Sequence, residues 1–203
     1  MCSSDLRVSS SAALQKIRGA ISARYNPSGK TPDPTADYIM KYDDSGTMKD
    51  GLINANLYLN NAALNRDGVN VDEVERVACN ALMSVPGIAR CFTREQLLRG
   101  GLSFTDPVER RVLHGFYPQR SGDVIAVTDP FKYFVEYTVT ATHGSPYSYD
   151  AHVPLIIMGA GAFKPGRYYQ AAAPTDIAPT LAAVLGVQPP SNSVGRVLLE
   201  SIQ

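Results

Sequence analysis

The sequence predicts an α/β domain with a mainly parallel sheet, helices on both faces, and a smaller α+β region inserted at about residues 51–128. Three observations support this fold class. The chain has 203 residues, 44% of them apolar, which is enough to bury one core. Short strand and helix patterns alternate through its middle part, and near its end an apolar run of strand length precedes a turn-rich segment and a helix.

The first elements are read from their periodicity. Apolar residues at spacings of three and four predict an amphipathic helix over residues 10–25, which the turn sequence at 26–29 ends. Residues 30–50 are rich in turn-forming types and predict a loop with one short strand at 38–42. Residues 53–60 alternate apolar and polar side chains, which predicts a single strand with one solvated face.

The middle section predicts helices and strands in alternation. Asn70 is the expected N-cap of a helix that the Pro86-Gly87 pair stops. A strand at 88–92 follows, and then a short helix that starts with capping-box spacing at Thr93. The sequence Thr105-Asp106-Pro107 opens another helix to about residue 114, and residues 122–128 predict a mostly apolar strand.

The last third carries the pattern of a central strand. The run from Val153 to Gly159 is continuously apolar, which predicts a strand covered on both faces. Thr175 or Asp176 is the expected N-cap of a final helix that ends at Gly186. Its larger apolar side chains fall on one side and are Ile177, Leu181, Val184 and Leu185.

Charge and hydropathy exclude two classes of partner. Nineteen basic residues balance nineteen acidic ones, so the surplus of positive charge that nucleic-acid polymers require is missing. The longest apolar run, residues 153–163, is about half the length of a membrane-spanning helix. Neither a polyanion nor a membrane span is therefore predicted.

The cysteines and tyrosines favour packing roles. Cys2, Cys79 and Cys91 form no close metal-binding pair, so we interpret them as buried thiols, with an oxidised Cys79–Cys91 pair as the alternative. Aromatic residues in loops and strands usually pack and hydrogen-bond their hydroxyls. We therefore interpret Tyr147 and Tyr149 as packing residues rather than as a ligand-binding cluster.

The chain has three histidines, and their sequence positions differ in how well they suit a metal ligand. His114 ends a predicted helix, where an imidazole interacts with the terminal carbonyls. His152 lies two residues after Asp150, which favours a structural hydrogen bond. His143 lies beside Gly144 in a loop ahead of the apolar run, which makes it the candidate metal ligand, although one histidine alone does not form a zinc site.

Residues 142–154, Thr-His-Gly-Ser-Pro-Tyr-Ser-Tyr-Asp-Ala-His-Val-Pro, resemble a segment of a known family. The string is similar to the C-terminal metal-ligand segment of the type I phosphodiesterase/nucleotide pyrophosphatase family in the alkaline phosphatase superfamily. The closest resemblance is to bacterial phosphate-irrepressible zinc alkaline phosphatases. Residues 85–90, 120–124, 164–166 and 175–186 extend the resemblance over most of the chain.

The resemblance implies a zinc-dependent phosphoric ester hydrolase. Its fold would be the C-terminal part of an alkaline-phosphatase-like three-layer sandwich, and its substrate a small-molecule phosphate monoester. Two zinc ions and a Thr or Ser nucleophile that forms a covalent phospho-enzyme belong to this family, and His143 matches its final zinc-binding histidine. A periplasmic or secreted location is also implied by the resemblance alone.

The departures from the family predict that the chain is a portion of the enzyme. The family's Asp-x-x-x-His segment and Asp-His pair have no counterpart in the 203 residues. We therefore expect residues 7–203 to be the C-terminal part of one catalytic domain, inactive alone and without the catalytic nucleophile. Residues 1–6, Met-Cys-Ser-Ser-Asp-Leu, resemble a translated sequencing adapter.

Two alternatives stay open at this point. A phosphodiesterase or nucleotide pyrophosphatase of the same superfamily would share the same C-terminal segment. A non-catalytic binding domain that has lost its metal centre would also keep the fold.

Overall fold

The computed structural model of the protein describes residues 7–40, 51–53, 55–135 and 143–203. Residue contacts divide the chain into two units, 1–151 and 152–203. The strands of the first unit are β1 Arg7–Ser9, β2 Leu52–Ile53, β3 Asn56–Leu57, β4 Ile88–Thr93, β5 Val124–Thr128 and β6 Tyr133–Val135. Its helices are α1 Ser10–Tyr25, α2 Asn61–Arg66, α3 Val71–Met83, α4 Arg94–Arg99, α5 Pro107–Gly115 and α6 Ser148–Ala151.

The first unit contains a parallel strand pair and a four-stranded antiparallel sheet. Strands β1 and β6 are parallel, with Arg7 opposite Tyr133. The antiparallel sheet has the order β2-β3-β5-β4. Helix α3 packs against α1 as well as against β4 and β5. The core between these elements includes Leu14, Ile17, Val74, Leu82 and Val124. The described residues therefore form the mixed α/β structure that the sequence predicts.

The predicted helix boundaries in this unit agree with the structure. Helix α1 spans the predicted residues, and the hydroxyl of Ser9 caps it by accepting the N–H of Ala12 at 3.2 Å. Asn70 caps α3 by accepting the N–H of Glu73 at 3.0 Å. The predicted capping box at Thr93 is present at the start of α4. These ends were predictable because each depends on side chains within four residues.

The single strand predicted over residues 53–60 is wrong. The segment folds instead into a hairpin in which β2 and β3 pair, with Leu52 opposite Leu57. Ala55 adopts a φ of 68° between the two strands, a left-handed conformation that reverses the chain. The alternating pattern persists from Leu57 onward, because Leu57 and Leu59 are buried whereas Tyr58 and Asn60 are only half-buried. Of the predicted strand at 38–42, Ile39 forms an isolated bridge with Leu59, and residues 41 and 42 lie outside the described residues.

The interpretation of Cys79 and Cys91 as free thiols is also wrong. The two residues form a disulfide that joins α3 to β4 across a sequence separation of 12 residues. Sequence spacing alone did not decide between the thiols and the disulfide, because the choice depends on α3 packing directly on β4. Cys2 lies outside the described residues.

The second unit is built around helix α7, Ile177–Leu185, which follows a 3-10 turn at Pro174–Asp176. Gly186 ends the helix, as predicted, and adopts a left-handed conformation. Asp176 is the N-cap residue of α7, as predicted, but its carboxylate does not bond to the N–H groups of that helix and instead accepts those of Ala173 and Arg196 at 2.9 and 2.8 Å. Thr180 continues this network by accepting the N–H of Leu198 at 3.0 Å. Asp176 therefore ties the chain after α7 to the start of that helix.

The buried strand predicted at Val153–Gly159 does not form within the part of the chain that the structure describes. The run has no regular secondary structure there, and Ile156 and Met158 are 85% and 96% exposed. A strand of this apolar type needs partners on both edges and layers on both faces. The predicted apolar side of α7 is only partly covered, because Leu181 and Leu185 are 40% and 71% exposed while Ile177 and Val184 are half-buried. None of the described helices has the length and apolar character that a bilayer span requires.

Candidate functional site

A cavity of about 660 Å³ in the first unit contains the candidate metal ligand. The end of β5, the turn between β5 and β6, and the segment 143–150 form its walls. Its lining includes Thr128, Phe131, Lys132, His143, Ser145 and Asp150. The cavity therefore combines an imidazole, an ammonium group and a carboxylate with an aromatic wall.

The loop that carries His143 is anchored at several points. The carboxylate of Asp150, in α6, accepts the N–H of Ser145 at 2.9 Å. Arg111, in α5, donates to the carbonyl of Pro146 at 2.7 Å, and the hydroxyl of Tyr147 donates to the carbonyl of Thr128 at 2.7 Å. Gly144 has a φ of 96°, which a residue with a side chain rarely adopts. These contacts hold the loop against α5 and the end of β5.

Asp150 interacts electrostatically with His143. Contacts with Ser145, and then the charge of His143, hold the pKa of the Asp150 carboxyl below its usual range. The carboxylate is therefore ionised at neutral pH and places negative charge beside an exposed imidazole. Sequence reasoning assigned Asp150 to His152, whereas the structure places its hydrogen bond at Ser145.

The described residues supply one part of a zinc site. Zinc sites use three or four nitrogen, sulfur or oxygen ligands. Within residues 7–40, 51–53, 55–135 and 143–203, no group of three His, Cys, Asp or Glu side chains has the arrangement of a metal site. Among the described residues, His143 could therefore supply only one of the ligands that a zinc ion needs. His114 lies in the last turn of α5, as predicted, and His152 is exposed.

Phe131 belongs to an aromatic row that no sequence signal predicted, and together with Tyr149 it lines the same cavity as His143. The rings of Phe131 and Tyr149 stack with centroids 4.5 Å apart, and those of Tyr147 and Tyr149 with centroids 5.7 Å apart. The sequence analysis predicts packing roles for Tyr147 and Tyr149. No sequence pattern predicts that Phe131 joins them, because the turn that exposes Phe131 depends on the position of β6.

Two buried acids outside the cavity were also missed. Glu75, in α3, is 1% exposed and accepts the N–H of Glu95 at 3.1 Å. Burial raises its pKa to about 7, the charges of Asp123 and Asp72 add to this, and Arg94 opposes it. Asp123 accepts the N–H of Leu59 at 2.7 Å, and burial raises its pKa too.

Replacing Glu75 by Gln should remove part of the pH dependence of stability. Because its folded pKa exceeds the ordinary value of 4.5, the folded state holds a proton that the unfolded state releases, and stability falls between about pH 4.5 and 7. At about 1.4 kcal/mol per pKa unit, the loss is roughly 3 kcal/mol. We expect E75Q to match the original protein at pH 4.5 in urea unfolding and to exceed it at pH 8.

The control for that experiment is Glu73→Gln on the same helix, where the side chain is 43% exposed. E73Q should keep the original slope of stability against pH, apart from the residual slope that Asp123 contributes in every variant. An E75Q protein with an unchanged slope would show that Glu75 keeps its charge when folded.

Comparisons with known proteins point to one superfamily. No protein-family model matches the chain. Among curated proteins, it is 32% identical over 154 residues to a protein named calcium-transporting ATPase from Myroides odoratus. It is 30% identical over 151 residues to alkaline phosphatase PafA from Elizabethkingia meningoseptica, and 25% identical over 152 residues to alkaline phosphatase PhoV from Synechococcus elongatus. Each match covers about three quarters of this chain and 27% of the relative.

Solved structures agree in fold. The crystal structure of wild-type alkaline phosphatase PafA matches with a TM-score of 0.74 and 22% identity, over 97% of this chain and 34% of that one. A mutant of PafA matches with a TM-score of 0.65 and 28% identity, over 76% of this chain and 30% of that one. The chain thus spans about a quarter to a third of the length of these relatives. By sequence and fold, it belongs to the alkaline phosphatase superfamily.

Proposed function

We propose that the chain is the C-terminal part of a zinc-dependent alkaline phosphatase that hydrolyses small phosphate monoesters. The observation that carries this proposal is the similarity to two proteins named alkaline phosphatase over three quarters of the chain. The reaction would proceed through a covalent phospho-enzyme formed by a Thr or Ser in the preceding polypeptide. By itself the 203-residue chain should be inactive, because it supplies one candidate zinc ligand.

His143 is the residue of this chain that we assign to the metal centre. Its imidazole is exposed, it lines the cavity, and its loop is fixed by Asp150 and Arg111. Two bound zinc ions would supply electrostatic stabilisation of the phosphate and the leaving group. The negative charge of Asp150 would favour the orientation of the imidazole toward a cation, and Arg111 would act as a positioning residue through Pro146.

A periplasmic or secreted location is the second part of the proposal. The disulfide between Cys79 and Cys91 supports it, because disulfides persist in oxidising compartments and are rare in the cytosol. The proposed insertion at residues 51–128 contains both cysteines, so it would be the part that needs oxidising conditions to fold.

The test measures zinc content and substrate preference of the longer protein at alkaline pH. We expect two zinc ions per chain, rapid hydrolysis of phenyl phosphate and slower hydrolysis of the diester diphenyl phosphate. A preference for the diester would identify a phosphodiesterase. A preference for ATP would favour the ATPase activity that the name of the Myroides odoratus relative states. No bound zinc and no hydrolysis would favour a binding domain. Hydrolysis by the 203-residue chain above the buffer rate would contradict our expectation that the chain is inactive because it supplies one candidate zinc ligand.

A further inference from the structure

A second cavity, of about 640 Å³, lies in the first unit. It shares residues of β5 and the segment 144–146 with the cavity that contains His143. His143, Lys132 and Asp150 line the first cavity and are not among the described residues that line the second. A volume of this size is typical of small-molecule sites. The second cavity is therefore a candidate binding site that adjoins the candidate metal ligand without using it.

The second cavity combines an apolar surface with positive charge. Its apolar lining includes Val112 of α5 and both Ile125 and Val127 of β5. Two basic residues, Arg111 of α5 and Arg120 of the loop between α5 and β5, line it as well. No Asp or Glu of the described residues belongs to the lining. An occupant would therefore contact apolar side chains and two cations, with no carboxylate of the described chain to compete for them.

Both guanidinium groups are held along the wall of this cavity. Arg111 donates to the carbonyl oxygen of Pro146 at 2.7 Å. The guanidinium carbon of Arg120 lies 5.8 Å from the centre of the Tyr117 ring. Pro146 and Tyr117 line the cavity too, and neither arginine forms an ion pair with a described carboxylate. Two uncompensated like charges at one cavity create a positive potential that favours an anion.

We propose that the second cavity binds a small organic carboxylate. The two coplanar oxygens of a carboxylate match the parallel N–H donors of a guanidinium, and hydrogen bonds between charged groups are the stronger kind. An apolar body on the same ligand would cover Val112 and Ile125, which adds the free energy of apolar burial. The occupant would contact the segment 144–146, directly after His143. The inference goes beyond the proposed function, because it uses neither a metal ion nor a phosphate ester.

The test measures the binding of benzoate to the longer protein by titration calorimetry. Arg120→Gln is the chosen variant, since Arg111 also anchors the loop that carries His143. Arg110→Gln is the matched control, because Arg110 is exposed on α5, loses the same charge and does not line the cavity. We expect R120Q to weaken benzoate binding about tenfold, R120K to weaken it less, and R110Q to leave it unchanged.

Two further ligands test the parts of benzoate separately. Acetate, which lacks the ring, and benzyl alcohol, which lacks the charge, should each bind more weakly than benzoate. Equal affinity of either ligand with benzoate, or equal benzoate affinity in R120Q and R110Q, overturns the proposal. Removal of bound metal should leave benzoate affinity unchanged, and a loss of binding on metal removal would also overturn it, since benzoate would then bind at the metal. The result stays separate from the test of phosphatase activity.

Discussion

Under the proposed function, replacing His143 by Ala in the longer protein should remove one of the two proposed zinc ions and lower kcat/KM for phenyl phosphate about 1,000-fold. A loss of this size corresponds to about 4 kcal/mol of transition-state stabilisation, within the several kcal/mol that a bound metal supplies. The physical reason is that a zinc ion that loses one of three protein ligands is held weakly. Metal content by elemental analysis and steady-state kinetics together check this expectation.

The control is His114→Ala, which removes the same side chain from the last turn of α5. H114A should keep both zinc ions and nearly full activity, with at most about 1 kcal/mol lost from the interaction of the imidazole with the helix end. Full zinc content in H143A would exclude His143 as a ligand. Equal losses in H143A and H114A would point to a general effect on folding rather than on the metal.

Replacing Ile156 by Lys should have opposite effects in two contexts. In the longer protein, we propose that the run Val153–Gly159 is a buried strand, so a lysine would place a charge in the core and cost at least about 4 kcal/mol of stability. In the 203-residue chain the same side chain is 85% exposed, and an exposed apolar run favours aggregation. There I156K should raise solubility.

The matched control for this change is Val194→Lys, because Val194 is 87% exposed in the same unit. V194K should change the stability of the longer protein by less than about 1 kcal/mol. Thermal unfolding and light scattering measure the two contexts. If I156K cost the longer protein no more stability than V194K, residues 153–159 would be a surface segment in the longer protein as well as in the 203-residue chain. If the original 203-residue chain were monodisperse, its exposed run would not drive association.

The sequence predicted the elements whose signals are local. The N-caps at Asn70 and Thr93 depend on side chains within one turn of the helix, and the end of α7 at Gly186 depends on the missing side chain of glycine. All three helix ends agree with the structure. The α/β class followed from periodicity, and the superfamily from the resemblance of residues 142–154, and the relatives found by sequence agree with that superfamily.

Strand pairing, the disulfide and side-chain burial depend on contacts between residues far apart in the chain, and only the folded structure shows them. The hairpin at 52–57, the bond between Cys79 and Cys91, and the burial of Glu75 each require packing of α3 and the antiparallel sheet. The aromatic row at Phe131 requires the turn after β5 to meet α6. Local sequence signals predicted the ends of α1, α3, α4, α5 and α7, because the free energy of a helix end comes from neighbouring residues. They did not predict the short helices α2 and α6. Pairing, burial and the shape of the cavity were decided by contacts between residues far apart in the chain, which no local pattern encodes.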